Sequence, residues 1–446
     1  MPAPREEAER LPNPRWMPAF LGRVPVGIEH RHLEVVGLVA LGLLFLSYFS
    51  SLLGSVLKYL ADDFGLAKAD LGRFTGNVRL GVMLAFVLIP LADVIGRRRM
   101  FLLSVFGLAA FGILTGVSQT PGQFVSLQIV HQIFVSAAFA TGYVIVTEEL
   151  PAQHRGWGIG MVQAISALGF ALGAGLFAFI EGLPYGWRFL YLAGVVPLLF
   201  IPYLRRRLRE TQRFQALHEG RSAGRAGLAR RLTAAYRPVA QLVGGFPGRA
   251  IGIGLLGALS SAGLAVAFQF TGFFVLEVHD WAPWHYTVMF VSCGFLGVVG
   301  SPLAGRLMDR FGRRSLGATA LALFPLPVAV FYLGPGWSLA PAWAGFVFLN
   351  MGAHVVIRAL GTEIFPTSYR GTAGGWLLLA EAIGAWLGLQ LHTLGMQLRD
   401  DLGLVTAALA LLTLVSTFTL FFFPETARRE LESIARDVPG EEKVGA

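Results

Sequence analysis

The stretch GRLMDRFGRR, Gly305–Arg314, sets a dense knot of charge between two long apolar segments. A weaker copy, PLADVIGRR, lies at Pro90–Arg98. The Asp93, Gly96, Arg97 spacing repeats as Asp309, Gly312, Arg313 at an offset of 216 residues. Three further blocks repeat at an offset of 215. TEELPAQHRG (147–156) recurs as TEIFPTSYRG (362–371), GFALG (169–173) as GAWLG (384–388), and Glu210-Thr211 as Glu425-Thr426. A near-constant offset over four separated blocks marks an internal duplication. Helical repeats of this kind are expected to place a shared site near the membrane midplane, between the halves.

The repeated unit is apolar. Of 446 residues, 54% are hydrophobic and 14% charged, against roughly 25% charged in soluble domains. Mean hydropathy is +0.61. A spanning helix needs about 20 mostly apolar residues. Twelve segments meet this: 34–60, 71–94, 100–119, 124–147, 157–183, 188–204, 250–276, 286–308, 316–334, 340–362, 372–397 and 404–423. The runs are long and lack apolar/polar alternation, which argues against a barrel of strands. The expected fold class is an all-α membrane protein, with six helices duplicated to twelve in two pseudo-symmetric bundles.

Twelve spans put both ends on one side. Arg97–Arg99, Arg155, Arg306, Arg310, Arg313, Arg314, Arg370, Arg428 and Arg429 fall there, while the opposite short loops carry little that is basic beyond Lys68 and Arg399. The positive-inside bias predicts cytoplasmic termini. The formal charge of +9 therefore reports topology rather than a nucleic-acid partner. The expected layout is a cytoplasmic tail over 1–33, a bundle over 34–204, a linker over 205–249, a second bundle over 250–423, and a tail over 424–446. Residues 205–237 hold ten Arg against Glu210 and Glu219, a solvated loop suited to anionic lipid. Residues 1–33 lack the short apolar core of a secretory signal. The lone Cys293 supports neither an internal disulfide nor a cysteine metal site.

With the duplicated motif the chain resembles the major facilitator superfamily, over nearly its whole length. The family loop after the second helix reads G-x-L-x-D-R-x-G-R-R. Gly305, Leu307, Asp309, Arg310, Gly312, Arg313 and Arg314 match it; the first copy keeps Leu91, Asp93, Gly96, Arg97 and Arg98 but has Ile89 for Gly and Val94 for Arg. The E-x-x-P-x-x-x-R-G and P-E-T elements resemble the sugar-porter and organic-acid symporter branches. The paired Gln of sugar porters is missing from the seventh segment, and the acidic pair of the organic-acid branch is missing from the first, which reads LFLSYFSSLLG. The resemblance implies that the second and eleventh helices are neighbours. It implies a cytoplasmic gate of Asp93, Arg97, Glu148, Arg155 and Glu210, with Asp309, Arg313, Glu363, Arg370 and Glu425 in the other half. Each Asp can face a helix N-terminus, and matched acids and bases can pair. Anchoring of loops is the plainer alternative.

Charge inside a bilayer costs at least ~2.5 kcal/mol per group, so each instance needs a reason. Arg79 lies about 12 Å into the second span and Glu381 about 13 Å into the eleventh, by helical rise. The two charges are expected to meet, as a structural pair or as a substrate or proton site. His131 in the fourth span is either a hydrogen-bonded neutral ring or a proton carrier. Arg358 is close enough to the cytoplasmic loop to snorkel, or contacts substrate; His354, one turn deeper, is equally open. Asn350, Gln269 and Tyr48 are candidate polar contacts, with helix-to-helix hydrogen bonds as the alternative. Lys58 is expected to snorkel. Gly169/Gly173 and Gly384/Gly388 sit at the spacing that allows close helix packing.

The expected function is secondary transport of a small polar metabolite, an organic anion in view of Arg79 and Arg358, by alternating access with proton symport. Glu381 and His131 are the candidate carriers. The expected protein is a monomer in the inner membrane, needs no cofactor or metal and binds no nucleic acid. No hydrolytic triad, zinc site or phosphate-cradling loop is recognisable. The alternatives are an exporter or facilitator of a sugar-like or hydrophobic compound, and a transport-inactive receptor on the same fold.

Overall fold

A computed structural model describes residues 11–18, 21–211, 215, 239–366 and 369–426; the side chains of Asp93 and Asp309 lie outside the described residues. The regular elements are helices: α1 His30–Ser55, α2 Leu57–Phe64, α3 Leu71–Leu88, α4 Arg97–Gly116, α5 Pro121–Glu149, α6 Arg155–Phe177, α7 Trp187–Leu192 and α8 Val195–Arg207 in the first half of the chain. The second half has α9 Pro247–Gln269, α10 Thr271–Glu277, α11 Pro283–Phe311, α12 Arg313–Leu323, α13 Pro325–Leu333, α14 Leu339–Glu363, α15 Arg370–Leu398, α16 Leu402–Ala410 and α17 Leu412–Leu420. Ten helical stretches among the described residues are long and apolar enough to span. With α3 and α11 in the other two predicted segments, they account for twelve spans.

Several spans are broken rather than continuous, and the sequence shows why. Pro325 has no backbone N–H to continue α12, so a new helix starts there. The first span breaks at Val56 and the seventh at Phe270, nearly one repeat apart. The end of the Arg-rich linker is folded: residues 239–245 are helical, and Leu242 is buried in the apolar core with Ile253, Leu256 and Leu360.

The chain forms two compact units. One comprises Met1–Val56 and Leu84–Leu232, the other Leu57–Met83 and Thr233–Ala446. In the first, α1 lies along α6, where a Cβ on Gly169 would run into the Leu44 carbonyl and one on Gly173 into the Ser51 hydroxyl. In the second, α9 lies along α15, where Gly384 and Gly388 abut the backbone of Ala258 and Ala262. Both duplicated Gly pairs thus bring two backbones into contact, which side chains larger than hydrogen would prevent.

The second unit also holds the segment 57–83. A Cβ on Gly72 would meet the Leu389 carbonyl, and one on Gly76 would lie 3.1 Å from Leu389 Cβ. Asn77 accepts a hydrogen bond from Gln390 at 3.1 Å. Helix α3 is therefore pinned to the Trp386–Thr393 stretch of α15.

Candidate functional site

Two charge clusters sit at matching helix ends. In the first unit Arg97 pairs with Glu148 at 3.3 Å, and both side chains are largely buried. The Thr211 hydroxyl donates to the other Glu148 oxygen at 2.6 Å. Glu210 accepts the Arg98 backbone N–H at 3.0 Å. In the second unit Arg313 grips Glu363 through Nε and Nη2, each at 3.2 Å. Thr426 donates to Glu363 at 2.5 Å. Glu425 accepts the backbone N–H groups of Arg313 and Arg314 at 2.9 and 3.0 Å.

The local reason is helix-end chemistry. Free N–H groups at the start of a helix attract a carboxylate, and Glu210 and Glu425 supply one at the starts of α4 and α12. Gly96 and Gly312 have φ of 105° and 97°, a conformation that favours glycine. A Cβ on Gly312 would also come within 2.6 Å of the Glu425 carboxylate. Arg98 donates to the carbonyls of Leu208 and Arg205 at 2.6 and 2.5 Å, a cation at the C-terminus of α8 where the helix dipole favours it. These pairs each join residues of one unit. Arg155 reaches the Leu150 carbonyl at 3.4 Å, and the buried Nε of Arg370 has no partner among the described residues.

The charges within the spans arrange differently from the sequence expectation. Arg79 does not pair with Glu381. Glu381 pairs instead with Arg358 of α14, Nη2 to Oε2 at 2.6 Å. The cause is helical facing. The α15 residues against α3 include Leu389 and Gln390. Glu381 lies roughly 80–180° around the helix from Leu389 and Gln390, on the side toward α9 and α14. A Cβ on Gly257 of α9 would sit 3.5 Å from Glu381 Cγ. Arg79 follows Gly76 by three positions on the face toward α15, and its buried Nε has no hydrogen-bond partner among the described residues. Arg358 thus turns inward to an acid rather than snorkelling.

The remaining candidates divide. His131 is buried, and its Nδ1 donates to the Leu108 carbonyl at 2.8 Å; the ring meets Phe49 edge-on. Tyr48 donates to the Leu190 carbonyl at 2.7 Å, a strut within the first unit. Asn350 and Gln269 are buried, and Gln269 Nε2 is without a partner among the described residues. His354 is exposed as a residue, one turn from Arg358. Lys58 contacts Glu277 at 3.4 Å and the Leu276 carbonyl at 2.9 Å, with Lys68 on the other Glu277 oxygen at 3.2 Å. Sequence reasoning missed Glu277, Asn77 and Gln390. Asn77 and Gln390 carried a readable signal, since each is a polar residue inside an apolar span.

Comparison with known proteins finds membrane transporters along nearly the whole chain. The 4-methylmuconolactone transporter assigned as probable in Cupriavidus pinatubonensis is 26% identical over 417 residues, covering 87% of this chain and 89% of the relative. A gallate transporter of Pseudomonas putida is 27% identical over 77% of this chain and 81% of its own length. A 4-hydroxybenzoate transporter of Pseudomonas aeruginosa is 26% identical over 82% and 88%. Among solved structures, the inward-open xylose transporter XylE from E. coli superposes with a TM-score of 0.72 at 18% identity, covering 90% of this chain and 99% of its own. It shares the fold. The profile of the Major Facilitator Superfamily matches residues 39–389. The duplicated loop motif, the twelve helical spans and that match together make the chain a member of the Major Facilitator Superfamily, a multi-pass membrane transporter and not an enzyme.

Proposed function

We propose that this transporter carries small organic carboxylates, aromatic or ring-opened acids among them, across the inner membrane by alternating access together with protons. In this reading it works as a monomer with both termini cytoplasmic, and the paired clusters at Arg97/Glu148 and Arg313/Glu363 take part in its gating. Asp93 and Asp309 act at the same helix ends. Relatives support this substrate class: proteins similar to this chain include transporters of gallate, gentisate, 4-hydroxybenzoate and cis,cis-muconate.

The observation that carries the reading is the surplus of positive charge in the spans. Among the described residues Arg79 and Arg358 share the spans with one mid-helix acid, Glu381, which pairs with Arg358. Arg79 is left with a buried, unpartnered Nε. A guanidinium within a bilayer is costly, and its surplus positive field favours an anionic cargo. The field of Arg79 draws the carboxylate in. His131, already committed to a backbone carbonyl, is the weaker proton carrier, and Glu381 is the stronger.

Purified protein in liposomes tests this with radiolabelled 4-hydroxybenzoate, gallate and xylose under an inward proton gradient. The acids accumulate and xylose does not. Uptake of xylose with no uptake of either acid overturns the carboxylate reading.

A further inference from the structure

The three largely buried Arg–Glu pairs among the described residues are built in two ways. Glu363 is held by two donors of Arg313 and by the Thr426 hydroxyl. Glu148 is held by Arg97 and by the Thr211 hydroxyl. Both are enclosed at helix ends, where each oxygen has a donor. Glu381 has a single contact, Arg358 Nη2 on Oε2. No hydroxyl or backbone N–H among the described residues satisfies its second oxygen. The Arg358 side chain is 38% exposed and that of Glu381 16%, so the guanidinium keeps donors on an accessible side.

The position is as unusual as the geometry. Glu381 lies eleven residues into the 29-residue α15; the other described acids lie near helix ends or in loops. Few charged groups face it. Helix α14 presents Arg358, with His354 one turn before it. Helix α9 carries one titratable group, Arg249, near its start, where it donates to the Ile364 carbonyl. Helix α16 carries none, and Lys68 and Asp70 lie by the far end of α15. Arg79 lies against the opposite face of α15.

We propose that Glu381 is a tethered stand-in for the substrate carboxylate, occupying Arg358 in the empty carrier and yielding it when protonated. This deepens the carboxylate–proton reading above and rests on it. A proton from the aqueous phase forms an O–H bond on Glu381, and its ion pair with Arg358 breaks. The substrate carboxylate then pairs with Arg358, which stays protonated throughout. On release the carboxylate leaves, Glu381 returns its proton to water, and the original pair re-forms. Either anion alone compensates Arg358. Both together leave one carboxylate unpaired in a low-dielectric site, which is costly. Proton and carboxylate therefore bind together. For a monocarboxylate the carrier holds the same charge empty and loaded, and the cycle moves no net charge.

The test uses the full chain in liposomes with 4-hydroxybenzoate as probe, measuring equilibrium binding across pH, substrate exchange and net accumulation. In the wild type the apparent Kd rises about tenfold per pH unit once Glu381 is mostly ionised, because the competent fraction falls by that factor. Accumulation follows the pH gradient, and a potassium-diffusion potential imposed without a pH gradient drives none. Glu381→Gln binds with a pH-independent Kd and still exchanges substrate, but no longer concentrates it against a gradient. Arg358→Gln alone strands an acid and can fail to fold, so the paired change Arg358→Gln with Glu381→Gln supplies the second arm. It folds, leaves no unpaired charge at this site and loses binding at every pH. Accumulation by Glu381→Gln driven by a pH gradient, or accumulation by the wild type driven by potential alone, overturns the proposal while leaving the carboxylate reading intact. Failure of the wild type to bind any carboxylate overturns that reading itself, and the stand-in role with it.

Discussion

The two helix-end clusters and the ion pair inside the second unit use the same residue types to different ends. Arg97/Glu148/Thr211 and Arg313/Glu363/Thr426 are near copies, offset by one repeat and held by several donors. Arg358/Glu381 has no counterpart one repeat away: the positions 215 residues earlier are Tyr143 and Ser166. Arg79 is likewise unrepeated, with Gly294 at the matching position. What both halves need was kept twice. The charges that break the symmetry lie within the spans, where compensation is hardest and a ligand can provide it. Duplicated charge thus belongs to the shared scaffold, and unduplicated charge is what the proposed carboxylate site uses.

The largest expected effect comes from the unduplicated side. Arg79→Gln should lower 4-hydroxybenzoate uptake at subsaturating concentration by about thirtyfold, within the roughly 10–10³ by which a focused field of one sign raises substrate on-rates. Its binding should keep the wild-type pH dependence, because Glu381 and Arg358 are intact. Uptake at the wild-type rate would remove Arg79 from the anion path.

Next come the paired glycines. Gly169→Val and Gly384→Val each force a branched side chain into the backbone of a neighbouring helix, at Leu44 and Ala258. Each should destabilise by roughly 1–3 kcal/mol or more, read as a lowered Tm in detergent. The two losses should be similar. A large loss in one half alone breaks the idea that duplicated positions carry equal structural weight.

The clusters come third. Glu148→Gln and Glu363→Gln leave an Arg without its acid in a largely buried place. Each should destabilise by about 1–3 kcal/mol, the range for hydrogen bonds to charged groups, with transport slowed in both. Loss of transport without any fall in Tm, in either variant, sharpens the contrast by assigning that cluster to gating alone.

Tyr48→Phe is the smallest. It removes one neutral hydrogen bond to the Leu190 carbonyl, about 1 kcal/mol, and Kd for 4-hydroxybenzoate should not change. A weakened Kd with unchanged Tm returns Tyr48 to the substrate path.

The sequence by itself determined the number of spans, their duplication and the family. These rest on composition and on spacing along the chain, which no folding step can alter. It also named Arg97, Glu148, Glu210, Arg313, Glu363 and Glu425 together, because a repeated motif announces which residues act as a set. It exposed Arg79, Arg358 and Glu381 as anomalies, since a charged letter in an apolar run is visible without a structure. It could not pair them. Depth along a helix follows from counting at about 1.5 Å per residue, and by that measure Arg79 and Glu381 looked level. Facing depends on which side of α15 each neighbour occupies. The tertiary packing decided it: Gly72 and Gly76 seat α3 against the Leu389/Gln390 face, and Glu381, roughly a third of a turn around, meets Arg358 instead. Lys58 followed the same logic. Its depth placed it near the outer end of the first span, and the packing of α2 beside α10 gave it Glu277 as a partner. Partner choice between helices distant in sequence is a property of packed surfaces, and one chain read in order carries depth without direction.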